Sequence, residues 1–203
     1  MDAHRLATVG LVIWAISGCV KPQGGSVPPT LHAHRSATFA IAELDANADG
    51  LVDRSEARKC PALAQAFEKY DENRDGNLSH AEIAKRLRTF ARGRLATASV
   101  TFQVFLEDAP LVGAEVLMEP ERFLDCDIKP AEGLTDVTGV ASPRTAELGT
   151  AGVYCGLYRL RISWKDAQGR EQLPARYNTE TELGQEVAPD LPETIIILRL
   201  TRM

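Results

Sequence analysis

Asp45 to Glu56 runs DANADGLVDRSE, and after fourteen residues Asp71 to Glu82 runs DENRDGNLSHAE. The two dodecamers share one chemical pattern. Oxygen-bearing side chains stand at positions 1, 3, 5, 9 and 12: Asp45, Asn47, Asp49, Asp53 and Glu56 in the first, Asp71, Asn73, Asp75, Ser79 and Glu82 in the second. Gly50 and Gly76 hold position 6, and the apolar Val52 and Leu78 hold position 8. A hard divalent cation gathers about six to eight oxygens at about 2.3–2.6 Å, so a loop that binds one must curl oxygens inward from alternate positions. Short Asp and Asn side chains do this from nearby backbone, and a long Glu reaches back from the following helix with two oxygens. Leu51 and Asn77, at position 7, offer only main-chain carbonyls, and position 9 acts through a water. Glycine permits the sharp turn that a Cβ resists.

This pattern resembles the EF-hand calcium loop, and two intact copies speak against an acidic solvated loop. The resemblance implies two Ca2+ ions. Site one has four carboxylates (Asp45, Asp49, Asp53, Glu56) and site two has three (Asp71, Asp75, Glu82), so site one is expected to bind more tightly at equal geometry. Ligand identity leaves open whether calcium folds the module or is sensed by it, because both kinds of site use the same groups. The fourteen-residue spacer is shorter than in calmodulin-like pairs. It resembles compact EF-hand pairs of bacterial secreted proteins.

The flanks suit this reading. A helix is expected from Ala37, with Ile41 and Leu44 on one face ahead of loop one. Pro61 suits the first position of a second helix, where its missing N–H costs nothing. Leu63, Phe67 and Tyr70 share a face there, as do Ile83, Leu87 and Phe90 after loop two, the latter ringed by Lys85, Arg86, Arg88, Arg92 and Arg94. These stripes read as a shared core, the alternative being an open partner-binding groove.

Upstream, residues 1–19 (MDAHRLATVGLVIWAISGC) combine a short basic start with an apolar stretch, as an export leader does. The ending Ile16-Ser17-Gly18-Cys19 resembles the bacterial lipobox, which implies lipidation of Cys19 and a membrane anchor. An ordinary leader with an incidental cysteine is the alternative. Residues 20–36 are rich in Pro, Gly and Ser and read as a tether. The His32-x-His34 pair inside it lacks a third metal ligand and is read as incidental.

Downstream of Leu95 the period changes from helical to two. Val100, Phe102, Val104 and Leu106 alternate, as do Val112, Ala114, Val116 and Met118, and then Tyr158, Leu160, Ile162 and Trp164. Thr135–Ala141 reads as a strand followed by a glycine turn, and Thr194–Leu200 (TIIILRL) as a final buried strand, a helix being the alternative that periodicity leaves open. About seven strands in roughly a hundred residues point to a β-sandwich. The segments Pro110–Val116, Thr135-Asp136 with Gly139, Gly156–Leu160 and Pro174–Asn178 resemble the transthyretin-like, carboxypeptidase-regulatory-like domain. Thr181-Glu182-Leu183 and Glu186-Val187 resemble that family's last turn. The resemblance implies a seven-stranded sandwich and no chemistry. Tyr177 is expected to close a corner.

The expected class is therefore multidomain α plus all-β: leader 1–19, tether 20–36, EF-hand pair 37–94 and transthyretin-like sandwich 95–203. Export permits disulfides, and Cys126 with Cys155 is the favoured pair, leaving Cys60 free. A net charge of −5 argues against nucleic-acid binding. No nucleophile elbow, phosphate loop, dinucleotide motif or zinc-protease motif occurs. The transthyretin-related hydrolases end in Tyr-Arg-Gly-Ser and need histidines. This chain ends Leu200-Thr201-Arg202-Met203 with no histidine after His80, so no enzyme is expected. The reading is an exported lipoprotein facing the periplasm or cell surface, its calcium sites stabilising a module that presents the sandwich to a cell-envelope protein. The alternative is a calcium-responsive sensor or regulatory subunit.

Overall fold

The structure, a computed structural model, describes residues 27–91, 94–148, 151–192 and 195–202. Cys19, the leader and the first part of the tether lie outside the described residues. The fold mixes α and β, with four helices among the described residues and several mostly antiparallel sheets. The first part contains α1 (Ala33–Leu44), β1 (Leu51–Asp53), α2 (Arg54–Ala57), α3 (Pro61–Tyr70), β2 (Asn77–Ser79) and α4 (His80–Arg88). The remainder contains β3 (Thr97–Ala98), β4 (Thr101–Leu106), β5 (Ala109–Pro110), β6 (Glu115–Pro120), β7 (Ala131–Leu134), β8 (Val140–Ala141) and β9 (Arg144–Thr145). It closes with β10 (Val153–Tyr154), β11 (Gly156–Ser163), β12 (Gly184–Val187) and β13 (Ile195–Leu200).

The helical periods are realised. Leu63, Phe67 and Tyr70 are buried, as are Ile83, Leu87 and Phe90. Pro61 opens α3 with Cys60 as its N-cap residue. α1 starts at Ala33 rather than Ala37, so the tether is shorter than expected and His34 is helical. The cause is tertiary. Ser36 and Ala37 are fully buried, and Ser36 Oγ donates to Leu124 O at 2.7 Å. A polar stretch without periodicity becomes helix because another element covers it.

A five-stranded sheet has the order β12-β11-β6-β7-β9, and a second has the order β13-β4-β5 with β8 also on β4. The alternation in β4 holds, with Phe102, Val104 and Leu106 buried. In β11 the even residues Tyr158, Leu160 and Ile162 are fully buried, and so is Leu157 on the opposite face. Of residues 135–141, expected as a strand and a glycine turn, only Val140–Ala141 (β8) is strand. β7 ends at Leu134, and Asp136 Oδ1 accepts from the Thr138 and Val140 amides to close a turn at Gly139, whose φ is +76°. Ala109–Pro110 pairs with the end of β4, and the turn before it sits at Glu107 and Asp108.

The last strand departs from expectation. β13 pairs in parallel with β4 and with no other described strand. It is an edge, and Ile195 and Ile197 are about half exposed. An apolar run signals strand, but coverage of its second face depends on a neighbour that the run does not encode.

The expected boundary at residue 94 does not divide the core. Buried side chains from α1, α3 and α4 join those of both sheets in one cluster. β11 and β12 pair Leu157 opposite Glu186, so these two residues share the outer face of the five-stranded sheet. α3 lies against β12 and β11 on that face. The contact is close: a Cβ built on Gly184 would stand 2.0 Å from Ala62 N.

Candidate metal centre

Both loops fold into the same frame. The position-6 glycines, Gly50 and Gly76, each have φ +83°, and the residues at position 4, Ala48 and Arg74, are left-handed at +62° and +61°. Positions 7–9 form β1 and β2, which pair antiparallel with Val52 opposite Leu78, both fully buried. The β-bridge ties the two loops back to back.

The ligand-type side chains turn into their own loops. Asp45 accepts from Ala48 N (2.7 Å) and Gly50 N (2.9 Å), and Asp71 accepts from Asp75 N (3.1 Å) and Gly76 N (3.0 Å). Asn47 Oδ1 accepts from Asp49 N and Asn73 Oδ1 from Asp75 N; Asp49 Oδ1 and Asp75 Oδ1 accept from Leu51 N and Asn77 N, all at 2.8–2.9 Å. The position-12 glutamates close both rings. Glu56 Oε1 accepts from Ala46 N at 2.8 Å and Glu82 Oε1 from Glu72 N at 3.2 Å, so each carboxylate has crossed from the exit helix to the loop entrance. Their second oxygens accept from Asp53 N (3.0 Å) and Ser79 N (2.9 Å).

Position 9 has a structural task as well. Asp53 caps α2, accepting from Ser55 N and Glu56 N, and Ser79 caps α4, accepting from Glu82 N. With the return bonds from Glu56 and Glu82, each is a capping box. The Glu56 amide and the Ser55 hydroxyl hold the Asp53 carboxyl below its usual range. At Glu82 burial pushes the carboxyl up, but the Ser79 amide and hydroxyl with the Asn73 and Glu72 amides outweigh it and hold it low. Both groups therefore stay anionic at neutral pH.

Among the described residues, no group of three or more His, Cys, Asp or Glu side chains is placed to hold a metal ion. The carboxylates and amide oxygens at positions 1, 3, 5 and 12 are satisfied by loop amides instead. The donor chemistry nevertheless suits a hard cation. It is all oxygen, it is anionic, and a carboxylate with two lone pairs per oxygen can keep an amide while turning the remaining pairs inward. His34 and His80 approach each other, with ring centroids 5.5 Å apart, but His32 does not complete a trio.

The Cys126–Cys155 bridge expected from the sequence is not formed, and both thiols are free. Cys126 lies half-buried in a turn closed by Ile128 N on its carbonyl (2.8 Å), whereas Cys155 is wholly buried between β10 and β11. Burial pushes Cys126 up to about 11 and Cys155 up to about 12, so both stay protonated at neutral pH. Tyr177 closes its corner, its hydroxyl accepting from Thr201 N at 3.0 Å.

Sequence reading missed the charged seam between helices and sheet. Glu186 is fully buried on β12 and receives Lys69 from α3 and Arg86 from α4. Nearby, Glu121 continues the outer row and lies against Cys60 and Arg159. Burial pushes Glu121 up despite the Arg159 guanidinium 3.5 Å away, and its Oε1 has no hydrogen-bond partner. It lines a polar cleft of about 460 Å³ with Glu43, Glu119, Arg122 and Arg161. The sole advance signal for this seam was the alternation of β11, which places Leu157 and Arg159 on one face.

No family model matches the chain, and no curated protein matches it. The solved structures include one similar chain, a 9R-lipoxygenase from Cyanothece PCC8801, at 10% identity and a TM-score of 0.24 over 82% of this chain. The alignment spans 23% of the lipoxygenase, a likeness too slight to bear on fold or activity. No described helix is long and apolar enough to cross a membrane.

Proposed function

We propose that this chain binds two calcium ions through an EF-hand pair, and that the ions stabilise a structural or interaction module carrying a transthyretin-like β-sandwich. One observation carries the reading: the twelve-residue frame is built twice, with the same side chains turned inward and a position-12 glutamate closing each ring. Asp45, Asn47, Asp49 and Glu56 would hold one ion and Asp71, Asn73, Asp75 and Glu82 the other, with the Leu51 and Asn77 carbonyls at position 7. Asp53 and Ser79, already engaged as helix caps, would act through water. Bound calcium supplies charge neutralisation to a loop that otherwise gathers three or four carboxylates. The structural role is favoured over the sensor because Leu63, Phe67, Ile83 and Leu87, the side chains a sensor would expose, are spent on the common core. Export, lipidation at Cys19 and a cell-envelope partner are part of the same proposal. So is the absence of an enzymatic role.

Calorimetric titration of residues 20–203 with calcium tests it, beside a Glu56→Gln/Glu82→Gln double variant. Two binding events at ~0.1–1 mM or tighter, absent from the variant, are expected. No heat and no thermal stabilisation at millimolar calcium would overturn the reading.

A further inference from the structure

Loop two is bounded by two helices whose ends are gripped by one carboxylate. Asp71 directly follows Tyr70, the last residue of α3, and Glu82 sits in the first turn of α4. One residue before Tyr70, Lys69 places Nζ 3.0 Å from Glu186 Oε2. One turn after Glu82, Arg86 donates from Nε to Glu186 Oε1 (2.9 Å) and from Nη2 to Oε2 (2.8 Å). Asp190 braces the same guanidinium with two further bonds of 2.8 and 2.9 Å.

We propose that Glu186, a residue of the sheet and not a calcium ligand, positions the second calcium site by clamping α3 to α4 across it. The inference rests on the calcium reading above. Closing an ion ring requires the first and twelfth ligands at a fixed separation, and these leave from α3 and α4. A flexible pair must lose freedom when the ion binds, whereas a clamped pair has lost it beforehand. Glu186 is fully buried, and a buried carboxylate is tolerated only where partners replace its lost hydration. Here those partners come from both arms of the loop. Among the described residues no single carboxylate bridges α1 and α2 around loop one, so the clamp acts on one site of the two. Because coupling is reciprocal, calcium at loop two must also hold β12 in place.

The test is calcium calorimetry on the full chain, comparing wild type, Glu186→Gln and Glu82→Gln. The event that survives in Glu82→Gln identifies site one. Glu186→Gln keeps the shape and removes the charge, and it is expected to weaken the other event by about 10-fold, within the usual range of site coupling, while site one is unchanged. A general loss of packing would lower both events together, so equal weakening of the two overturns the proposal. Unchanged affinity at both sites does the same. Asp190→Asn, which removes only the exposed brace, keeps the question answerable if Glu186→Gln does not fold: a drop of about 2- to 3-fold confined to site two is expected, and none refutes the clamp. Absence of heat in wild type would overturn the calcium reading itself, which distinguishes the two failures.

Discussion

Gly184→Ala puts the docking of helix on sheet to a quantitative test. A Cβ at this position would lie 2.0 Å from Ala62 N, 2.3 Å from Pro61 C and 2.5 Å from Ala62 Cα. All three are backbone atoms in the first turn of α3, so no side-chain rotation relieves the overlap. Non-bonded heavy atoms settle roughly 3.5–4.0 Å apart, so α3 must lift from β12 by about 1 Å or more. Lifting it also loosens Leu63, Ala66 and Phe67, which are buried beneath the same helix. Overpacking of this kind costs about 1–3 kcal/mol, and a backbone clash belongs at the upper end, about 3 kcal/mol. For a chain of this size each kcal/mol moves Tm by roughly 2–4 °C, so a fall of about 6–12 °C is expected. The assay is thermal unfolding of residues 20–203, followed by far-UV circular dichroism and by the fluorescence of Trp164. Both probes should shift together, since helices and sheets share one core. A loss below about 0.5 kcal/mol, or a shift in one probe alone, would refute the close approach.

Three further outcomes follow from buried polar groups. Thr135 Oγ1 accepts from Ala114 N (2.7 Å) and donates to Leu111 O (2.6 Å) while almost wholly buried. Thr135→Val strands both partners and should lower stability by about 1–3 kcal/mol in denaturant unfolding. Because burial raises the Glu121 pKa, its ionised form weakens the fold above that pKa, and the penalty disappears as pH falls. Glu121→Gln should therefore raise Tm at pH 7 and converge with wild type below about pH 4, where both side chains are neutral; a constant difference across pH would contradict this. In native residues 20–203, thiol reagents at pH 8 should label Cys126 slowly and leave Cys60 and Cys155 untouched, with three thiols counted after denaturation. A count of one would reveal a disulfide instead.

Local chemistry was legible from the chain. The dodecamers carry their oxygens, their glycines and their capping residues within twelve positions, and the loop frames in the structure use those same groups. Period-two alternation in Thr101–Leu106 and Gly156–Ser163 likewise put Phe102, Val104, Leu160 and Ile162 inside, because strand geometry dictates side-chain direction from sequence order. Other features depended on neighbours distant in sequence. The helix begins at Ala33 because the chain around Leu124 packs on α1 and buries Ser36 and Ala37. Ile195 and Ile197 are exposed because they share the outward side of their sheet with Thr101 and Gln103, opposite the side that buries Phe102 and Val104. The candidate ligands could be read directly, but the seam that surrounds them could not. Lys69, Arg86 and Glu186 look like ordinary solvated charges, and alternation says only that Leu157 and Arg159 share a face. Whether that face meets water or a helix depends on how α3 docks, and burial is a property of the pair of surfaces, not of either strand.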